Sequence, residues 1–131
     1  MKIAIIDYDI GNVRSIINAF ENFSIPTILT RNKNEIMNSS GLVLPGVGSF
    51  ASGMKNLSKY SLNEVIHEFS ELNRPILGIC LGMQILMEGS TEFGYTKGLG
   101  LIKGQVDKIQ INDSNTTKLP NIGWSKYLKL F

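Results

Sequence analysis

The segment Gly78-Ile79-Cys80-Leu81-Gly82 constrains this chain more than any other. It continues the apolar run Pro75 to Ile79, which reads as a strand, and opens Leu81 to Glu88, which reads as a helix with Gly89 as a natural stop. A glycine two residues to either side of one side chain, at a strand-to-helix junction, is the pattern of a sharp, strained turn. Bulkier residues at those two places would collide with the strand and the helix. The residue lifted out by the turn is the only cysteine of the chain. A lone cysteine is more often a small packed hydrophobe, but between these glycines the reading as a nucleophile is the stronger one. The helix start stabilises a negative sulfur, and the Leu81 amide points toward any oxyanion formed by attack.

Upstream, the chain alternates strand and helix signals. Residues 2 to 6 are nearly all apolar and stop at Asp7, as a strand buried on both faces does. Asn12 can cap a following helix whose stripe is Val13, Ile16, Ile17, Phe20 and Phe23. Pro26 to Thr30 and Gly41 to Leu44 read as the second and third strands, the latter ending in the glycine loop Pro45-Gly46-Val47-Gly48. A short helix carrying Phe50, Ala51, Met54 and Leu57 follows. Ser61 to Leu72 reads as another, with Leu62, Val65, Ile66, Phe69 and Leu72 on one face. Beyond Gly98 the texture is that of a sheet edge or hairpin, with Val106, Ile109 and Ile111 in imperfect alternation before the polar turn Asn112 to Thr117. The pattern predicts an α/β fold, a doubly wound and mostly parallel sheet with helices on both faces. No repeat or linker divides residues 1–131, so a single domain is expected.

Composition narrows the function. Thirteen basic and eleven acidic residues are scattered without a run, so no nucleic-acid partner is implied. The apolar start is too short for a signal segment, and no stretch of about 18 apolar residues follows, so neither export nor membrane association is expected and the chain reads as cytoplasmic. Neither a metal nor a cofactor is anticipated. A thiolate acyl-transfer site does need a base, normally a histidine. The one histidine, His67, lies almost opposite the apolar stripe of its predicted helix and should face solvent. Asp7, Asp9, Glu88 and Glu92 could orient or bind a substrate, although Asp7 and Asp9 serve equally well as polar strand ends. The Pro45 to Gly48 loop ends a strand parallel to that of Cys80, where open α/β sheets bind ligands, and offers a second oxyanion donor.

These same residues carry a family resemblance. Ile5-Ile6-Asp7-Tyr8 with Gly11-Asn12-Val13-Arg14-Ser15, then Leu44-Pro45-Gly46-Val47-Gly48, then Leu77 to Gln84, resemble the glutaminase subunits of imidazole glycerol phosphate synthase, which are class I, triad-type glutamine amidotransferases. Glu88-Gly89-Ser90, Gly98 to Ile102, Leu119-Pro120 and Gly123-Trp124 follow in the same order. The resemblance implies a flavodoxin-like fold and attack by Cys80 on the glutamine side-chain amide through a glutamyl thioester. It further implies an oxyanion hole of the Val47 and Leu81 amides and a glutamine site of Gly46, Gly48, Gln84 and Glu92. The ammonia would pass to a (β/α)8-barrel cyclase in histidine biosynthesis, met at Asn12 and Trp124. The family pattern continues past Phe131, where it supplies the catalytic histidine and glutamate. The chain is therefore expected to be the N-terminal part of one amidotransferase domain, impaired in turnover alone, with uncovered apolar faces, including the strand ending at Ile111, that favour self-association.

Two departures, Asp9 in place of a usual glycine and Ser125 in place of a usual asparagine, fall on the partner-facing side. They leave room for a paralogue serving another synthase, such as one aminating a surface sugar, and the missing base leaves room for a non-catalytic assembly module. A phosphate or nucleotide binder is the remaining alternative; a phosphate loop gains nothing from a thiol in a strained turn.

Overall fold

The computed structural model describes residues 1–110. Four short strands, β1 (Ile3–Ile6), β2 (Thr27–Thr30), β3 (Gly41–Leu44) and β4 (Ile76–Gly78), form one sheet in the order β2-β1-β3-β4. Every pair in it is parallel, with Ile5 opposite Leu29 and Val43, and Val43 opposite Leu77. Helices α1 (Val13–Glu21), α2 (Lys33–Met37), α3 (Phe50–Lys59) and α4 (Leu62–Ser70) connect them. The step from β1 to β2 runs one way along the sheet, and the steps to β3 and β4 run the other way. Right-handed crossovers therefore place α1 on one face and α2, α3 and α4 on the opposite face. The doubly wound reading of the sequence is borne out.

The two faces are not equally covered. Ala4 and Ile6 of β1 and Leu42 and Leu44 of β3 alternate toward the multi-helix side, where they meet Ile36, Phe50, Leu57, Leu62, Ile66 and Phe69 in one buried cluster. Full burial of each leucine, isoleucine or phenylalanine among them contributes about 1.5–3 kcal/mol. On the other side α1 buries no residue completely. An apolar groove of about 350 Å³ runs between α1 and β4, lined by Ile16, Ala19, Phe20, Phe23, Ile25, Leu77 and Ile79 among others. Phe23 is 79% exposed there because α1 ends at Glu21, so the predicted stripe stops one turn early.

Other boundaries shift for identifiable reasons. Helix α4 starts after Ser61, which sits at φ +52°, and ends at Ser70, leaving Leu72 half exposed. Helix α2 was not anticipated, although Asn32 caps it by accepting hydrogen bonds from the amides of Asn34 (2.9 Å) and Glu35 (3.3 Å). Helix α5 (Leu81–Ile85) stops well before Glu88. The carbonyls of Ile85, Leu86, Met87 and Glu88 instead accept from the amides of Leu99, Ile102, Gly100 and Gly98 at 2.8–3.0 Å. That exchange draws Met87–Ser90 into strand β5, at the centre of a second sheet with β6 (Thr96–Lys97) antiparallel and β7 (Ile102–Val106) parallel. Gly89 is a strand residue rather than a stop; a Cβ there would lie 2.8 Å from the Tyr95 hydroxyl. The sheet texture expected beyond Gly98 is present, but Ile109 is exposed outside any strand, and Ile111 and the turn at Asn112 to Thr117 lie outside the described residues.

Candidate active site

Cys80 closes β4 and begins α5 with φ 54° and ψ −117°, a conformation that costs an L-residue about 1–3 kcal/mol. The surrounding packing holds it there. The Ile79 amide donates to the Leu44 carbonyl at 3.0 Å, while the Cys80 carbonyl accepts from Met83 (3.0 Å) and Gln84 (3.2 Å). A Cβ on Gly78 would come within 2.5 Å of Met83 Cα, and one on Gly82 within 1.8 Å of the Leu44 carbonyl oxygen. The first glycine thus lets the helix fold back over the strand, and the second lets its first turn rest on the end of β3. The thiol itself is exposed.

The Pro45 to Gly48 loop lies against this turn. A Cβ on Gly46 would be 2.8 Å from each of the Gly82 amide nitrogen, Leu81 Cβ and the Tyr8 hydroxyl, so only glycine fits between the elbow and the first strand-end loop. Gly48 has φ +99°, and Val47 between them is 55% exposed. Among the described residues neither the Val47 nor the Leu81 amide donates a hydrogen bond to protein. An amide without a protein acceptor is free to donate to a developing oxyanion.

Gln84 and Glu92 share a groove of about 490 Å³ with Ser90, Thr91, Phe93, Val106, Asp107 and Lys108. The Glu92 carboxylate accepts from the Phe50 amide at 2.8 Å, tying this groove to the start of α3, two residues past the glycine loop. The Glu92 amide in turn donates to Ser90 Oγ at 3.1 Å.

Other expected residues take separate places. His67 is exposed on α4, beside Lys55, Asn63, Lys97 and Gly98 in a different groove, so it offers Cys80 no base. Glu88 accepts from the Gly104 amide at 2.7 Å and is engaged within the second sheet. Asp7 and Asp9 both bind Arg31, at 2.5 and 3.0 Å. Asp9 also accepts from Lys59 Nζ at 3.3 Å and from the Tyr60 hydroxyl, and the Arg31 guanidinium stacks 4.0 Å from the centre of the Tyr60 ring. The Tyr60 hydroxyl, followed by Arg31, holds the Asp9 carboxyl below the usual aspartate range. At φ +63°, Asp9 occupies a backbone position that suits glycine, and these partners hold it there. Asn12, exposed, accepts from the Ser15 amide at 3.4 Å as the cap of α1. Trp124 and Ser125 lie outside the described residues.

Sequence reasoning assigned no role to Tyr8. It is fully buried, and its hydroxyl donates to the Pro45 carbonyl. The only signal was an aromatic residue two places after the first strand, which a core role explains equally well. Among the described residues no helix is long and apolar enough to cross a membrane.

With this geometry in view, comparison with known proteins is specific. The family described as Glutamine amidotransferase class-I matches residues 4–130. A protein of Lactococcus lactis subsp. lactis named Imidazole glycerol phosphate synthase subunit HisH is 46% identical over 125 residues, covering 95% of this chain and 60% of its own length. HisH 1 of Legionella pneumophila strain Lens is 44% identical over 127 residues, and HisH of Listeria monocytogenes serotype 4b is 41% identical over 124, each over 95% of this chain. The chain thus spans about 60% of the length of the curated relatives it matches. A crystal structure of a glutamine amidotransferase shares the fold with a TM-score of 0.67 at 19% identity, over 79% of this chain and 55% of that one. A strained cysteine turn, a glycine loop packed against it and a family match spanning nearly every residue agree, and the chain belongs to the class-I glutamine amidotransferase family.

Proposed function

We propose that this chain carries the nucleophile and oxyanion hole of a glutaminase that supplies ammonia to imidazole glycerol phosphate synthase in the cytoplasm. The observation that carries the reading is Cys80, raised at positive φ above a parallel sheet beside a glycine loop whose Val47 amide, like that of Leu81, has no protein acceptor among the described residues. The resemblance of the chain to relatives named HisH supplies the pathway.

The Cys80 thiolate attacks the side-chain carboxamide carbon of glutamine, and the negative oxygen so formed is held by the Val47 and Leu81 amides. Collapse of the tetrahedral species breaks the carbon–nitrogen bond, and ammonia leaves after gaining a proton. The γ-glutamyl thioester that remains is cleaved by water to give glutamate and the free thiol. Gly46, Gly48, Gln84 and Glu92 hold the glutamine, the last through the groove beside α5. His67 does not move the protons in this scheme; the triad histidine and glutamate of the family pattern correspond to neither His67 nor any other described residue. Ammonia passes to a (β/α)8-barrel cyclase docked at the end of the molecule that bears Asn12.

Calorimetric titration of a Cys80→Ala variant tests the substrate. L-Glutamine is expected to bind, L-asparagine not, and Glu92→Ala added to the first change is expected to abolish the heat. Equal heats for the two amides, or none for glutamine, would overturn the reading.

A further inference from the structure

The loop after β1 places Tyr8 beneath the glycine loop. Its ring is fully buried in the main core cluster, and its hydroxyl reaches up to donate to the carbonyl of Pro45, the residue whose peptide plane leads into Gly46. The same hydroxyl, with the Leu81 side chain and the Gly82 amide, walls the slot that only a glycine at position 46 fills. Gly46 is therefore confined between the tyrosine hydroxyl and the first residues of the elbow helix.

The strut is itself anchored. Asn56 Nδ2 donates to the Tyr8 carbonyl at 2.9 Å, and the Asp7 amide donates to the Thr30 carbonyl at 3.0 Å. On the far side, Asp9 is fixed by Arg31, Lys59 and Tyr60. Held at both neighbours, Tyr8 cannot follow the glycine loop if the loop rotates; the loop must stay with it.

We propose that Tyr8 is a positioning residue for the oxyanion loop, its hydroxyl fixing the Pro45 carbonyl so that the following Gly46–Val47 peptide presents the Val47 amide to the oxygen at Cys80. The proposal rests on the glutaminase reading above. Without the hydroxyl the buried Pro45 carbonyl loses its donor, and the loop gains by turning that carbonyl toward water or another amide, which swings the next peptides with it. Burial, and secondarily the nearby Cys80 charge, push the Tyr8 pKa up, so the donor persists over the whole range in which a thiol ionises.

The test is inactivation kinetics with a chloroketone analogue of glutamine, whose carbonyl oxygen occupies the oxyanion position, set beside alkylation by iodoacetamide, which needs no oxyanion donor. Tyr8→Phe is expected to lower the limiting inactivation rate about tenfold, short of the ~100-fold or more that loss of an oxyanion donor itself costs. The half-saturating concentration and the iodoacetamide rate are expected to stay within about twofold of wild type by the same reasoning. A purely structural role would leave the limiting rate of the folded fraction unchanged, and that result overturns the proposal while leaving the glutaminase reading intact. Failure of the chloroketone to modify wild-type Cys80 overturns both. If Tyr8→Phe folds poorly, Asn56→Ala loosens the same strut from its half-buried anchor and is expected to give a smaller fall in the same constant; no fall overturns the proposal.

Discussion

Replacing Cys80 by glycine is expected to stabilise the protein while removing its nucleophile. The side chain is exposed, so little buried area is lost, but its backbone sits at φ 54°, ψ −117°, where a Cβ is strained. Relief of that strain is worth about 1–3 kcal/mol. Against it stands the greater freedom of glycine in the unfolded chain, about 0.5–1 kcal/mol. The balance favours Cys80→Gly by about 1 kcal/mol, a rise in Tm of roughly 4 °C for a chain of this size. Cys80→Ser keeps the Cβ and its strain, so it is expected to unfold within about 0.5 kcal/mol of wild type. Thermal melts and urea titrations of the three proteins under reducing conditions, followed by far-UV circular dichroism, measure the difference. A glycine variant no more stable than the serine variant would refute the reasoning, because the elbow would then hold no strain for a nucleophile to use.

Two further perturbations probe the frame of the site. Gly82→Ala places a Cβ 1.8 Å from the Leu44 carbonyl, backbone against backbone, and should destabilise by about 3 kcal/mol, seen as a fall in the urea midpoint; an unchanged midpoint would mean that α5 is not seated on β3 as described. Asp9 has a depressed pKa, so its ionised form contributes stability that is present above the ordinary aspartate value of about 3.9 and lost as pH falls through the lower folded value. The stability gap between wild type and Asp9→Asn should therefore be widest near neutrality, close on acidification and narrow with added salt; a gap constant from neutral pH down to acid would show that the Arg31, Lys59 and Tyr60 contacts do not select the charged form.

Much of this was legible in the sequence because it rests on local sterics. The two elbow glycines announce a turn that admits no Cβ, and each collides with backbone when a Cβ is added. Short all-apolar runs such as Ala4 to Ile6 and Leu42 to Leu44 announce strands covered on both sides, and the Asn12 cap announces the start of α1. What escaped depended on partners remote in sequence. Helix α5 loses its last turn to amides from residues 98–102, a competition invisible in the periodicity of Leu81 to Glu88. Phe23 fits the α1 stripe by spacing, yet the chain has already turned at Asn22. Glu92 reads from the sequence as one of several acids that could bind a substrate, and nothing local says that it will receive the Phe50 amide from 42 residues away. Tyr8 looks like any core aromatic until the Pro45 carbonyl is found on its hydroxyl.

The most direct test of Cys80 as an amidotransferase nucleophile is peptide mapping by mass spectrometry after exposure to the glutamine chloroketone, with and without excess L-glutamine. The geometry predicts one adduct, on Cys80, suppressed by L-glutamine and unaffected by L-asparagine. No adduct, or an adduct indifferent to glutamine, would contradict it.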